Sequence, residues 1–157
     1  MRVYHRPTCR LCNSDNVNLA VKLEPIPLAE AYSATAEEGR NIPRFPVDLY
    51  MCGDCGHVQQ LDVVDSESLW SKYTYFSGSA KGMPEHFAEV AARIMADYPA
   101  PNGSLVVDIG SNDGTTLAAY PTGRYDLVGV DPAGDKFRKY YPSRVEVISD
   151  FFSRDVL

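Results

Sequence analysis

The chain has 157 residues, 45% of them apolar, and a net charge of −6, which suits one ordinary soluble domain or two small ones rather than a disordered chain. Without a basic run it lacks the clustered Lys and Arg that hold nucleic acid, and without a long apolar run it has no membrane span. Residues Met1 to Pro7 lack the apolar core of a signal peptide, so a cytoplasmic, reducing home is expected, where four cysteines serve as metal ligands rather than disulfides.

In chain order, residues 1–62 are predicted to form a small β-rich domain. Two cysteine pairs bracket it, Cys9-Arg10-Leu11-Cys12 and Cys52-Gly53-Asp54-Cys55-Gly56. Short alternating stretches read as strands over Val17 to Leu23, Val47 to Met51 and Val58 to Leu61, in an otherwise irregular segment. Residues 63–103 are expected to be a helical connector. Within it are a short helix over Glu67 to Lys72, an aromatic loop Tyr73-Thr74-Tyr75-Phe76-Ser77-Gly78-Ser79, and a helix over 83–98. That helix has Pro84 in its first turn and an apolar face of Phe87, Val90, Ala91, Ile94, Met95 and Tyr98.

Residues 104–157 read as β-α-β-α-β. The strands are Leu105 to Ile109, Asp126 to Val130 and Val145 to Ser149, and the helices about Thr115 to Tyr120 and Asp135 to Tyr141. The expected fold class is α/β, with a zinc-binding β-rich domain followed by a partial Rossmann-like parallel sheet. Only one half of a doubly wound sheet is recognisable, so a truncated sheet is expected, open to self-association along its uncovered edge.

The cysteine spacing points to metal. Each C-x2-C turn puts two thiolates on one side of a tight loop, and two such turns complete a tetrahedron around Zn²⁺ from Cys9, Cys12, Cys52 and Cys55. With all four positions taken, the site is closed and structural. His57 reads as an exposed polar residue, His86 as a packing residue and Trp70 as core.

The second motif is Asp108-x-Gly110-x-Asn112-Asp113-Gly114, between a strand and a helix. It lacks the middle glycine of the dinucleotide fingerprint. It is close to the acidic-x-Gly-x-Gly-x-Gly loop of S-adenosylmethionine (SAM) methyltransferases, with Asn112 at the central glycine. Asp131 ends the next strand, where a carboxylate accepts from ribose hydroxyls. Asp150 ends the third and could accept from an adenine amino group, with Phe151 against the ring. Asp113 would repel a pyrophosphate, whereas a sulfonium tolerates acidic surroundings. This tilts the reading from NAD toward SAM. Tyr73 or Tyr75 could present a phenol to such a pocket, or simply pack.

These residues together resemble the SAM-dependent sugar C-methyltransferases, which carry an N-terminal zinc-binding domain. The resemblance runs through Pro27-Leu28-Ala29-Glu30-Ala31-Tyr32, the segment Phe45 to Gln59 around the second cysteine pair, Tyr73 to Ser79, Glu85-His86-Phe87, Ile109 to Gly114, and Asp150-Phe151-Phe152. It implies a class I methyltransferase domain. It also implies carbon methylation of a nucleotide-linked deoxy-keto-sugar through an enolate, with Tyr75 as the connector tyrosine of the sugar pocket and Tyr73 second. The family's Glu-His pair that lies beyond the SAM half has no counterpart in this chain, so the 157-residue piece alone is expected to be inactive. The rival from another class is a non-catalytic zinc module that docks a partner and has its sheet completed by another chain.

Overall fold

The computed structural model describes residues 2–71 and 73–156. The chain divides into two compact units, Met1–Leu69 and Trp70–Leu157.

The first unit is β-rich. Strand β1 (Val3–His5) is followed by β2 (Val17–Val21), helix α1 (Ala36–Arg40), β3 (Leu49–Cys52), β4 (Val58–Gln59), β5 (Asp62–Val64) and α2 (Ser66–Trp70). Strands β2, β3 and β4 form an antiparallel sheet in that order, and β1 pairs antiparallel with β5. The predicted strand Val58 to Leu61 is in fact shorter, and its continuation from Asp62 leaves to join β1. That pairing spans nearly the whole unit in sequence, so no local turn signal announces it.

Helix α1 was not expected in the irregular stretch. A capping box makes it: Glu38 N–H donates to Thr35 Oγ1 (3.2 Å) and Thr35 N–H to Glu38 Oε2 (3.3 Å). For α2, Asp65 accepts from the backbone of Ser68 at 2.9 Å and of Arg2 at 2.6 Å. The expected extension of α2 to Lys72 lies outside the described residues.

This unit has little apolar core. Among its described residues the buried apolar side chains are Cys9, Cys52 and Leu61. A domain so thin in buried hydrocarbon needs a staple.

The second unit is a layered α/β arrangement. Helix α3 (Met83–Asp97) precedes β6 (Ser104–Ile109), α4 (Thr115–Ala118), β7 (Tyr125–Val130), α5 (Gly134–Phe137) and β8 (Val145–Ile148). The three strands are parallel, in the order β6-β7-β8. The last predicted helix is a single α-turn continued by a 3-10 turn over Arg138–Tyr140, because Pro142 forces Tyr141 out of helical dihedrals.

Alternation along the strands sorts the residues onto two faces. One face carries Tyr125, Leu127 and Val145 into a core with Ala91 of α3, Leu117 of α4 and Phe137 of α5. On the other, Val130 is buried but Leu105 and Ile109 are 58% and 59% exposed. Helix α3 uses a narrower face than its periodicity suggests: Ala91 is buried and Met95 packs on the core, while Ile94 and Tyr98 face solvent. No helix among the described residues is long and apolar enough to cross a membrane.

Candidate metal centre and cofactor cleft

The two cysteine turns of the first unit are built alike. In the first, Asn13 N–H returns to the Cys9 carbonyl (3.1 Å) and Cys9 N–H donates to the Ser14 carbonyl (2.8 Å). In the second, Gly56 N–H returns to the Cys52 carbonyl (3.0 Å) and Cys52 N–H donates to the His57 carbonyl (3.0 Å). Asn13 and Gly56 both have left-handed backbone, with φ of 62° and 74°, a conformation that Gly and Asn adopt most readily. Asp54 joins the turns, accepting from Ser14 Oγ at 2.6 Å and Asn16 Nδ2 at 2.8 Å.

The sulfurs of Cys9, Cys12, Cys52 and Cys55 all lie within 4.8 Å of one another. Cys9 and Cys55 are 3.7 Å apart, and Cys12 and Cys52 are 3.6 Å apart. A tetrahedral zinc with Zn–S bonds of about 2.3 Å requires sulfur separations of about 3.8 Å, which these two pairs meet, and the remaining separations are all within 4.8 Å.

The surroundings favour a thiolate at Cys9 and at Cys52, while Cys12, despite the Ser14 N–H, is pushed up to about 12 by the neighbouring Cys55 and by burial, and Cys55 is raised as well. The backbone N–H of Cys12, working against burial, brings Cys9 down to about 6. Cys52 is lowered likewise, first by the Cys55 N–H. Gln59 is buried, and its Oε1 accepts from Arg10 N–H at 2.8 Å. Its amide nitrogen is sealed from water with no conventional partner among the described residues, and its side chain helps to lower Cys9. A buried N–H of this kind suits an anionic, metal-bound sulfur.

In the second unit the glycine loop joins β6 to α4. Gly110, Asn112 and Gly114 are all left-handed, with φ of 75°, 51° and 75°. Asparagine is tolerated at the middle position because its short polar side chain enters this region more easily than most. The loop is pinned from below by Tyr141, whose hydroxyl donates to the Asn112 carbonyl (2.7 Å) and lies 2.7 Å from Ser111 Oγ. Burial pushes that phenol up to about 12. Its ring fills the space left by Gly114 and Gly129, since a Cβ at Gly129 would lie 2.7 Å from Ser111 Oγ and 3.0 Å from Tyr141 Cε1.

A cleft of about 340 Å³ opens at the C-terminal ends of β6 and β7, where ligands bind in sheets of this class. Its lining is Trp70, Tyr73, Ile109, Gly110, Asn112, Val130, Asp131, Pro132, Phe151 and Phe152. Thus Gly110, Asn112, Asp131 and Phe151 come together. Asp131 Oδ2 accepts from Asn112 N–H at 2.9 Å and Oδ1 from Ala133 N–H at 2.7 Å, and each oxygen keeps a free lone pair. Asp108 lies behind, its carboxyl raised by burial and by the charge of Asp131.

The other candidates sit elsewhere. Asp113 is buried and turned into the loop, accepting from Gly78 N–H (2.8 Å), Thr115 N–H (3.2 Å) and Thr115 Oγ1 (2.7 Å). Gly114 lies over the Tyr141 ring. Asp150 is exposed after β8, outside the cleft lining, and so is Tyr75, which is 39% exposed. Trp70, expected in the core, is instead 46% exposed and forms a cleft wall. Sequence reasoning missed Tyr141 and Ser111, although a glycine inside a buried strand, Gly129, marks a close approach and could have pointed to them.

Residues 9–70, which contain all four cysteines, match a family model described as "Putative zinc binding domain". The chain is also similar to the C-methyltransferase NovU of Streptomyces niveus, with 26% identity over 148 residues. That alignment covers 94% of this chain and 35% of the relative, so the chain spans about a third of the relative's length. The zinc-domain match takes in the whole four-sulfur cluster, and the similarity to the C-methyltransferase runs over nearly the whole chain.

Proposed function

We propose that this chain is the zinc-stapled N-terminal portion of a SAM-dependent enzyme that methylates a ring carbon of a nucleotide-linked deoxy-keto-sugar. The observation that carries the reading is the cleft at the strand ends, where Asp131, the glycine loop and Phe151 meet. SAM, when bound, supplies an electrophilic methyl group. Asp131 would accept from its ribose hydroxyls, the loop around Gly110 and Asn112 would admit close backbone approach, and Phe151 would pack on the adenine. Asp108 and Asp131 crowd negative charge together, an arrangement that a sulfonium relieves and a pyrophosphate worsens.

On the acceptor side, carbon methylation requires loss of the proton beside the sugar carbonyl and stabilisation of the resulting enolate. Tyr75 is our candidate for a phenol facing the sugar, with Tyr73, which lines the cleft, as the alternative. Zinc is assigned no step, because four thiolates leave no open coordination position.

The test is titration of the chain with S-adenosylhomocysteine, followed by fluorescence of Trp70, the single tryptophan and a wall of the cleft. Binding is expected to change the emission. Asp131→Asn should weaken it about 10–100-fold, the value of hydrogen bonds to a charged acceptor. Affinity unchanged in that variant would remove the assignment.

A further inference from the structure

The side chain of Asn112 reaches away from its own loop. Its Nδ2–H donates to the Tyr75 carbonyl (3.0 Å), and its Oδ1 accepts from Ser77 N–H (3.0 Å). Asp113 Oδ2 adds a third bond, from Gly78 N–H at 2.8 Å. Side chains of the glycine loop therefore clamp the main chain of the aromatic connector. Gly78 is shaped for this, since a Cβ there would lie 2.9 Å from Asp113 Oδ2.

A glycine at position 112 would turn the loop equally well. It could not make the clamp. Meanwhile the backbone of Asn112 is held from the opposite side, its N–H by Asp131 and its carbonyl by Tyr141. One residue thus links the cleft carboxylate, the loop and the connector through four partners.

We propose that Asn112 is a positioning residue that ties the pose of the connector carrying Tyr73 and Tyr75 to the state of the glycine loop, so that a ligand ordering the loop also orders the connector. This rests on the reading of the cleft as a donor site. Linkage makes the effect reciprocal: a ligand gripping the connector would raise donor affinity by the same factor.

Amide hydrogen exchange on the zinc-loaded chain tests it. In the free protein, Asn112→Gly is expected to speed exchange at Ser77 about tenfold or more, the loss of a hydrogen bond's protection. Gly114 N–H, bonded to the Ser111 carbonyl at 2.8 Å, should stay within about twofold. Asn112→Asp keeps an acceptor for Ser77 and should preserve its protection. S-adenosylhomocysteine should slow Ser77 and Gly78 in the parent chain and leave Ser77 unslowed in Asn112→Gly.

Equal Ser77 exchange in the parent and Asn112→Gly would overturn the clamp. Ligand binding that slows Gly114 but leaves Ser77 and Gly78 untouched would overturn the coupling. Failure of the ligand to bind at all would count against the cleft assignment, and the free-protein comparison would still decide the clamp.

Discussion

Two glycines of the second unit share a backbone conformation and differ in what surrounds them, and this sets up a controlled perturbation. Gly114 and Gly123 have φ of +75° and +74°. A Cβ on Gly123 would meet nothing within 4 Å, so Gly123→Ala carries the left-handed penalty alone, about 1–2 kcal/mol. At Gly114 the added methyl would also lie within 2.6 Å of Tyr141 Cε1 and 2.9 Å of its Cγ. The ring cannot swing aside freely, because its hydroxyl is bound to Ser111 and Asn112 and the side chain is buried. Overpacking of this kind adds about 1–3 kcal/mol, so Gly114→Ala should cost about 2–5 kcal/mol. Urea unfolding monitored by Trp70, which belongs to the same unit, compares the variants directly. A cost at Gly114 within about 0.5 kcal/mol of that at Gly123 would refute the picture of Tyr141 wedged beneath the loop.

Two predictions concern the first unit. Purified chain should carry one zinc, and strong chelation should expose four reactive thiols with loss of β-structure in circular dichroism; a folded, metal-free chain with the same spectrum would remove the staple argument. Asp65 is held at about 2, below its ordinary 3.8, chiefly by the N–H groups of Arg2 and Ser68. Its folded pKa is depressed, so its contribution is full above the ordinary value and is lost as pH falls through the folded one. Acid unfolding should therefore show a loss of stability between about pH 4 and 2 that Asp65→Asn flattens, and an unchanged profile in that variant would reject the assignment.

Much of the architecture can be read without coordinates, for identifiable reasons. The parallel strands are short runs of Val, Leu and Ile separated by glycine turns, and strands consecutive in sequence tend to lie side by side, as these do. The four sulfurs announce themselves by spacing. What stays hidden is mainly long-range or polar. The β1–β5 pairing has no local signal. The capping box of α1 was written in Thr35 and Glu38 but obscured by the prolines around it. Asp113 reads as a ligand-facing acid because its type and position suit one, whereas hydrogen bonding to Gly78 and Thr115 turns it inward. Trp70 looks like core by residue type, and only the cleft geometry accounts for its half-exposed position.

The metal centre also bears on how the polypeptide is made. Its ligands come from residues 9–12 and 52–55, so a nascent chain that has not yet released Cys52 and Cys55 from the ribosome offers only half a coordination sphere. Ion capture is deferred until the second pair emerges, and the early strands must remain soluble until then. A shortage of zinc at that moment would leave four thiols open to mispairing, making metal supply during translation a determinant of how much correctly assembled product accumulates.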